Sequence, residues 1–298
     1  MQYIDNEKLY KAFELHYGQK PRIKDTINMV EADNGVVYLK YSIFEDLDFV
    51  KQGFSTRKGG VSEGIYSSMN LTFLRDDSYQ NVKRNFELMG QALGIKPEDM
   101  VYSKQTHTTN VLKVSGKHRG LGVTKEHIYD DVDGLITNES NVCLVTAYAD
   151  CIPVIVVDPV NKAIGAAHAG WKGTVGNIVN NMITFMSVEY GTKPGDIKAF
   201  VGPGICEGCY EVSEDVFLAF NKVYSEEEMG LIIRNGANKG KYQLNLPMAN
   251  VINLYKTGVD MTNIAVADIC TCCNSELLFS HRATNGQRGI LCNFIEII

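Results

Sequence analysis

Residues 149–174 read ADCIPVIVVDPVNKAIGAAHAGWKGT. "PVIVVD" and "AIGAAHAGW" are runs of β-branched or small residues, and "VDPVNKA" between them carries the Pro and Asn of a tight connection. The stretch therefore reads as two strands joined by a hairpin. Cys151 and His168 are its only strongly coordinating or nucleophilic side chains. Antiparallel strands bring such distant positions side by side. Taken singly, each reads as a core residue, because free cysteine is among the most buried residue types and a lone histidine is commonly a hydrogen-bonded structural group.

Working outward, "NVCLVTAYADC" leads into the hairpin, and "IKAFVGPGI", "NIAVADIC" and "GILCNFIEII" read as later strands. Residues 1–50 read as short strands and turns, with "DNG" turning into "VVYLKYSIF". "GFSTRKGGVSEG" is a glycine-rich loop. A helix is expected after "RDDS", with Val82, Phe86, Met89 and Leu93 on one face and Gly94 closing it. Thr174 is placed to cap a helix carrying Ile178, Met182, Met186 and Tyr190, closed by Gly191. Ser213 is placed to cap one with Val216, Phe217, Phe220 and Tyr224. Asn245 and Pro247 open one with Met248, Val251, Ile252 and Tyr255. Strands outnumber helices and do not alternate with them. The expected fold is α+β, a single domain over 1–298, with layered, mostly antiparallel central sheets and outer helices.

The chain of 298 residues is 45% hydrophobic and 21% charged, with net charge −6. Ordinary globular composition supports a sizeable core, and the acidic balance argues against nucleic acid or an anionic membrane as the main partner. No segment approaches the roughly 18 apolar residues of a membrane span, and the N-terminus lacks the pattern of a signal peptide. A cytoplasmic location is expected, with the eight cysteines mostly reduced.

His107, in "YSKQTHTTNV", changes the weight of Cys151 and His168. One thiolate and two imidazoles form a three-ligand set, and a catalytic zinc keeps its fourth position open. Such an ion lowers the pKa of bound water from 15.7 to about 7. Asp133 and Asp150 are near these residues in sequence and can orient a ligand imidazole. "GAAHAGWKGT" misses the P-loop pattern because Trp171 and Gly173 interrupt it, although amides near Thr174 with Lys172 offer an anion site. Cys206 and Cys209 form C-x-x-C, and "CTCC" supplies Cys270, Cys272 and Cys273. These residue types suit a second zinc site, but no regular pair-to-pair spacing supports one, and a thiol cluster without metal is expected.

"GFSTRKGGVS", "TAYADCIPVIVVD", "AIGAAHAGWKGT", "FVGPGI…CYEV" and "DICT…FSHRAT", in this order along the chain, resemble the laccase-domain (multicopper polyphenol oxidoreductase-like) family, whose members have been reassigned as purine nucleoside phosphorylases. The resemblance runs from about residue 50 to 298. It implies one domain related to the catalytic domain of toxin deamidases, and zinc held by a His, a Cys and a His, which fall on His107, Cys151 and His168. It implies phosphorolysis of adenosine, inosine or methylthioadenosine, with adenosine deamination as a second activity. Purine nucleoside and phosphate would be the partners, and the chain a monomer or homodimer. Phosphorolysis needs a bound anion, for which Arg57, Lys172 and Arg282 are the candidates. Two departures bear on substrate contacts. Gln52 stands where many relatives have His before the Gly of "GFSTR", and Arg282 and Arg288 in "SHRATNGQRG" are placed differently from the family's arginines.

Three other readings compete. A copper polyphenol oxidase would use copper in a His–Cys–His site, but six histidines are few for a multicopper enzyme. A metal-free Cys–His hydrolase or deamidase would leave His107 without a role. A zinc-stabilised binding module would not need an open coordination position.

Overall fold

The computed structural model describes all 298 residues. In chain order the strands are β1 (Ile27–Glu31), β2 (Val37–Tyr41), β3 (Val50–Ser55), β4 (Met100–Tyr102), β5 (Val111–Lys113), β6 (Gly134–Thr137), β7 (Cys143–Tyr148) and β8 (Ile152–Asp158). They continue as β9 (Ala163–Ala169), β10 (Lys198–Val201), β11 (Glu211–Ser213), β12 (Ile233–Asn235), β13 (Lys241–Leu244), β14 (Ile264–Val266) and β15 (Leu291–Ile297). The helices are α1 (Asn6–Tyr17), α2 (Tyr79–Leu93), α3 (Trp171–Val175), α4 (Ile178–Tyr190), α5 (Glu214–Asn221), α6 (Glu226–Ile232) and α7 (Leu246–Lys256).

One six-stranded sheet runs β1-β2-β3-β15-β7-β4 and a second runs β14-β10-β8-β9-β6-β5. The hairpin read from the sequence is β8–β9, paired antiparallel from Ile152↔Ala169 to Asp158↔Ala163. The parallel pairs are β4–β7, β5–β6 and β10–β14; the other pairs, including those of the small β11-β13-β12 sheet, are antiparallel. The expected α+β class and the dominance of antiparallel pairing are both present.

Side-chain alternation explains the layering. In β8, Ile155 and Val157 face the first sheet and pack with Leu144 of β7 and Ile295 of β15. Val154 and Val156 face the other way, under Met182 and Met186 of α4 and Val251 and Ile252 of α7. Likewise, Val145 and Phe294 face away from the second sheet and lie under Val82, Phe86 and Met89 of α2. The order is helix, sheet, sheet, helix. Every residue of β8, β9 and β15 is buried, which is why these strands read as nearly continuous apolar runs. The small residues of β9 have a cause as well. A Cβ on Gly165 would stand 2.9 Å from Met182 Sδ and 2.9 Å from Val156 Cγ2, so this strand admits α4 only where it is bare.

Helix α2 matches its expected face and ends at Gly94 in the left-handed conformation. Helix α7 opens as read, with Asn245 Oδ1 accepting from Met248 N. Three expectations need correction. Residues 1–50 are not only strands and turns, because α1 occupies Asn6–Tyr17, burying Tyr10 and Phe13. Thr174 does not cap α4. It is buried in α3, where its hydroxyl accepts from Asn250 Nδ2, and the cap is Asn177, whose Oδ1 accepts from Asn180 N. Helix α5 stops at Asn221, so Tyr224 lies beyond it. No helix is long and apolar enough to cross a membrane.

Candidate active site

Cys151 immediately precedes β8, and His168 lies near the end of β9, opposite Pro153. The hairpin therefore brings them to the same end of the sheet. His107 arrives from the loop after β4, and its backbone takes the positive φ of 67°, a conformation that costs a non-glycine residue free energy. The coordinating atoms of His107, Cys151 and His168 all lie within 4.8 Å of one another. His107 Nε2 is 3.9 Å from Cys151 Sγ, and the two imidazoles meet edge to face at 4.9 Å. Gly170 is required by this convergence. A Cβ there would stand 3.0 Å from His107 Cδ2 and 3.1 Å from Cys151 Sγ.

Asp133 holds the cluster together. It is fully buried just ahead of β6, which pairs with β9. Its Oδ1 accepts from His107 N at 3.0 Å and pairs with His168 Nδ1 at 2.8 Å. Its Oδ2 accepts from Thr106 N, Thr108 N and Thr108 Oγ1. One carboxylate thus fixes the strained His107 loop and turns the His168 ring so that Nε2 faces Cys151 and the cleft. Burial alone would push the Asp133 carboxyl up. The bond and charge of His168 and the amides of Thr108 and Thr106 outweigh it and hold it at about 2. Burial would also raise the Cys151 thiol, but the charge of His168 and the bond to His107 bring it down to about 6. Burial would lower His168, yet the Cys151 and Asp133 charges and bonds lift it to about 9. Metal-free, the pair is a thiolate and an imidazolium at neutral pH.

Asp150, beside Cys151, has a positive φ of 91°. It is buried and pinned at both oxygens, by Thr271 Oγ1 and Arg282 N, each at 2.6 Å. It supports the Cys151 turn; the imidazole is oriented by Asp133 instead.

The cluster opens into a cleft of about 500 Å³ lined also by Tyr148, Ile205, Tyr210, Ile290 and His281 and by the cationic Arg75, Arg282 and Arg288. That volume suits a small ligand. Arg282 reaches the cleft but directs its guanidinium to the carbonyls of Cys209 and Glu211. Arg288 is buried, with Nη1 donating to the Gly289 carbonyl at 3.3 Å, Nη2 3.4 Å from His281 Nδ1 and Nε unpartnered. Arg57 and Lys172 are not among the lining residues. Arg57 binds the carbonyls of Ser67 and Ser275 and lies over Phe279, and Lys172 is exposed beside Trp171. Gln52 is also elsewhere, bonded through both amide ends to the Tyr41 backbone in the sheet. Arg75 and His281 escaped the sequence reading because they sit in irregular loops with no periodicity.

The donor set fits zinc, with one sulfur, two nitrogens and an open side toward the cleft. A blue-copper site would need a weak axial ligand, commonly Met but also Gln; no methionine lines this cleft, and Gln105, which does, bonds the Ala147 backbone through both ends of its amide.

Comparison with known proteins places this geometry. The chain is 35% identical over 244 residues to the purine nucleoside phosphorylase YlmD of Bacillus subtilis, covering 82% of this chain and 87% of that one. It is 33% identical to the adenosine deaminase RL5 of an unknown prokaryotic organism, covering 82% and 95%. The crystal structure of Bacillus licheniformis hypothetical protein YfiH superposes with a TM-score of 0.82 at 33% identity, covering 88% and 96%. Residues 51–298 match the family model for multi-copper polyphenol oxidoreductase laccase, and the chain belongs to that family.

Proposed function

We propose that the chain is a purine nucleoside phosphorylase, with adenosine, inosine and methylthioadenosine as substrates, adenosine deamination as a second activity, and zinc held by His107, Cys151 and His168. A zinc ion there would supply Lewis acidity or an acidified water. The remaining work falls to the chain. An oxygen of hydrogen phosphate attacks C1′ of the ribose, the bond to the purine nitrogen breaks with its electron pair left on the purine, the purine takes the proton that hydrogen phosphate gives up, and a ribose 1-phosphate forms. Arg288 and Arg75 hold the phosphate, since guanidinium groups suit its oxygens. Tyr210 and Ile205 provide an apolar wall for the base, and Asp133 keeps His168 in one tautomer.

The observation that carries this reading is the joining of two ends in one cleft. A Cys–His set suited to a metal faces a buried arginine whose Nε has no protein partner. The names of the relatives point to the same chemistry. A metal-free Cys–His hydrolase has one observation in its favour, the thiolate–imidazolium pair, but gives no reason for a cationic wall.

The test is product formation from adenosine, with and without phosphate, by zinc-loaded and copper-loaded protein and by Cys151→Ala. Adenine release should require phosphate and zinc and vanish in the variant. Adenine release independent of phosphate would refute the phosphorylase reading. Phenol oxidation that rises only with copper, without nucleoside turnover, would establish the oxidase instead. Activity that survives complete metal removal would favour the hydrolase.

A further inference from the structure

Four cysteines outside the cleft converge on one point. Cys206 and Cys209 flank a short turn between β10 and β11, and Cys270 and Cys273 flank the turn that follows β14. Their sulfurs all lie within 4.8 Å of one another. Cys209 Sγ is 3.5 Å and Cys206 Sγ 3.9 Å from Cys273 Sγ. Cys272, the remaining thiol of "CTCC", is not part of the group. Sequence spacing had no basis for pairing the two C-x-x-C turns, which lie far apart in the chain; the parallel bridge Gly204↔Cys270 brings them together.

We propose that Cys206, Cys209, Cys270 and Cys273 form a structural zinc site. Four sulfurs at 2.3 Å from a central ion stand roughly 3.8 Å apart in a tetrahedron, which is the spacing found between Cys206 and Cys273. A disulfide would need two sulfurs at about 2.05 Å, and an iron–sulfur cluster interposes several atoms between its cysteines. Core packing does not explain the group either, because Cys273 is exposed and Cys206 and Cys209 are half-buried. The backbone is arranged for anionic sulfur. Cys206 N and Cys273 N both donate to Cys270 Sγ, at 3.2 and 3.5 Å, and such donors favour the thiolate.

All four coordination positions are filled by protein, so the ion has no vacancy for substrate. Its role is to tie two loops. One loop runs on to Tyr210 in the cleft wall, and its Ile205 N donates to the Asp150 carbonyl. The other carries Thr271, which bonds Asp150 Oδ1, and Asn274, which pairs with the Gln2 backbone. The site thereby fastens the N-terminal segment, outside the family match, to the loops beside Cys151.

Elemental analysis of protein purified without chelator tests this. Cys151→Ala should retain about one zinc per chain, and Cys209→Ser/Cys273→Ser should lose that ion. Because the double variant can fail to fold, cobalt substitution of Cys151→Ala gives a second readout. A four-thiolate tetrahedral site shows intense sulfur-to-cobalt charge transfer together with tetrahedral d–d bands. Zinc retained in Cys151→Ala with those bands supports the site. Overturning results would be Cys151→Ala free of zinc with all four thiols open to a thiol reagent in the native protein, iron in place of zinc, or a mass showing a disulfide among the four.

Discussion

Replacing Asp133 with Asn tests the architecture of the candidate site at its most loaded atom pair. The side chain keeps its shape but exchanges one acceptor for a donor. Oδ1 meets His107 N and His168 Nδ1, and Oδ2 meets Thr106 N, Thr108 N and Thr108 Oγ1. Whichever way the amide turns, its NH₂ faces at least one backbone N–H. An unsatisfied buried donor costs about 1–3 kcal/mol. The carboxylate is depressed from 3.8 to about 2, which corresponds to about 2 kcal/mol of differential stabilisation at neutral pH. The expected loss is therefore roughly 3–5 kcal/mol at pH 7. A depressed carboxyl contributes stability that is present above its unfolded pKa and lost as pH falls through the folded one. The gap between parent and variant should be full above pH 3.8 and shrink toward pH 2. Urea unfolding at a series of pH values reads this directly. If the amide faces His168, the ring must also adopt the tautomer with Nε2 protonated, and zinc affinity should fall roughly 10–100-fold. A variant that unfolds within about 0.5 kcal/mol of the parent and binds zinc equally well would show that Asp133 does not organise the site.

Further outcomes follow from the same geometry. Arg288→Met removes a buried guanidinium from the cleft and should raise the KM for phosphate about 10–100-fold while leaving zinc content unchanged; an unaltered phosphate KM would place the anion elsewhere. Gly170→Ala puts a methyl group about 3 Å from His107 and Cys151, so it should reduce zinc content more than it lowers Tm, which elemental analysis and calorimetry compare. In metal-free protein, the Cys151 thiol should ionise around pH 6 and the His168 imidazolium should persist to about pH 9. Thiolate absorbance or alkylation rate followed against pH reads the thiol directly. His168→Ala, which removes the charge that does most to lower it, should move the midpoint up toward the ordinary 9.0, and an unmoved midpoint would refute the ion pair.

The sheets were legible because burial on both faces leaves its mark residue by residue. β8 and β15 are buried throughout, so their apolar runs had no competing explanation. Helix α1 was not legible as a helix among charged neighbours, although Asp5, Tyr10, Phe13 and Gly18 mark its cap, face and stop. Cap choice at α4 failed for a different reason. Thr174 has the chemistry of a cap, but its hydroxyl is taken by Asn250 from α7, a tertiary demand that local pattern does not encode. The site shows the same division. Cys151 and His168 stood out because their chemistry is unusual in an apolar setting, His107 as the imidazole that completes a three-ligand set, and Asp133 by proximity. The arginines could not be ranked that way, since every exposed arginine looks alike in sequence. What separates Arg57 from Arg288 is what each guanidinium touches. The first is spent on two carbonyls and a phenyl ring away from the cleft, while the second lines the cleft, with Nη1 on the Gly289 carbonyl, Nη2 beside His281 Nδ1 and Nε unpartnered. Which guanidinium borders the cleft is a property of the packed fold, and it moves the expected phosphate contact from Arg57 to Arg288.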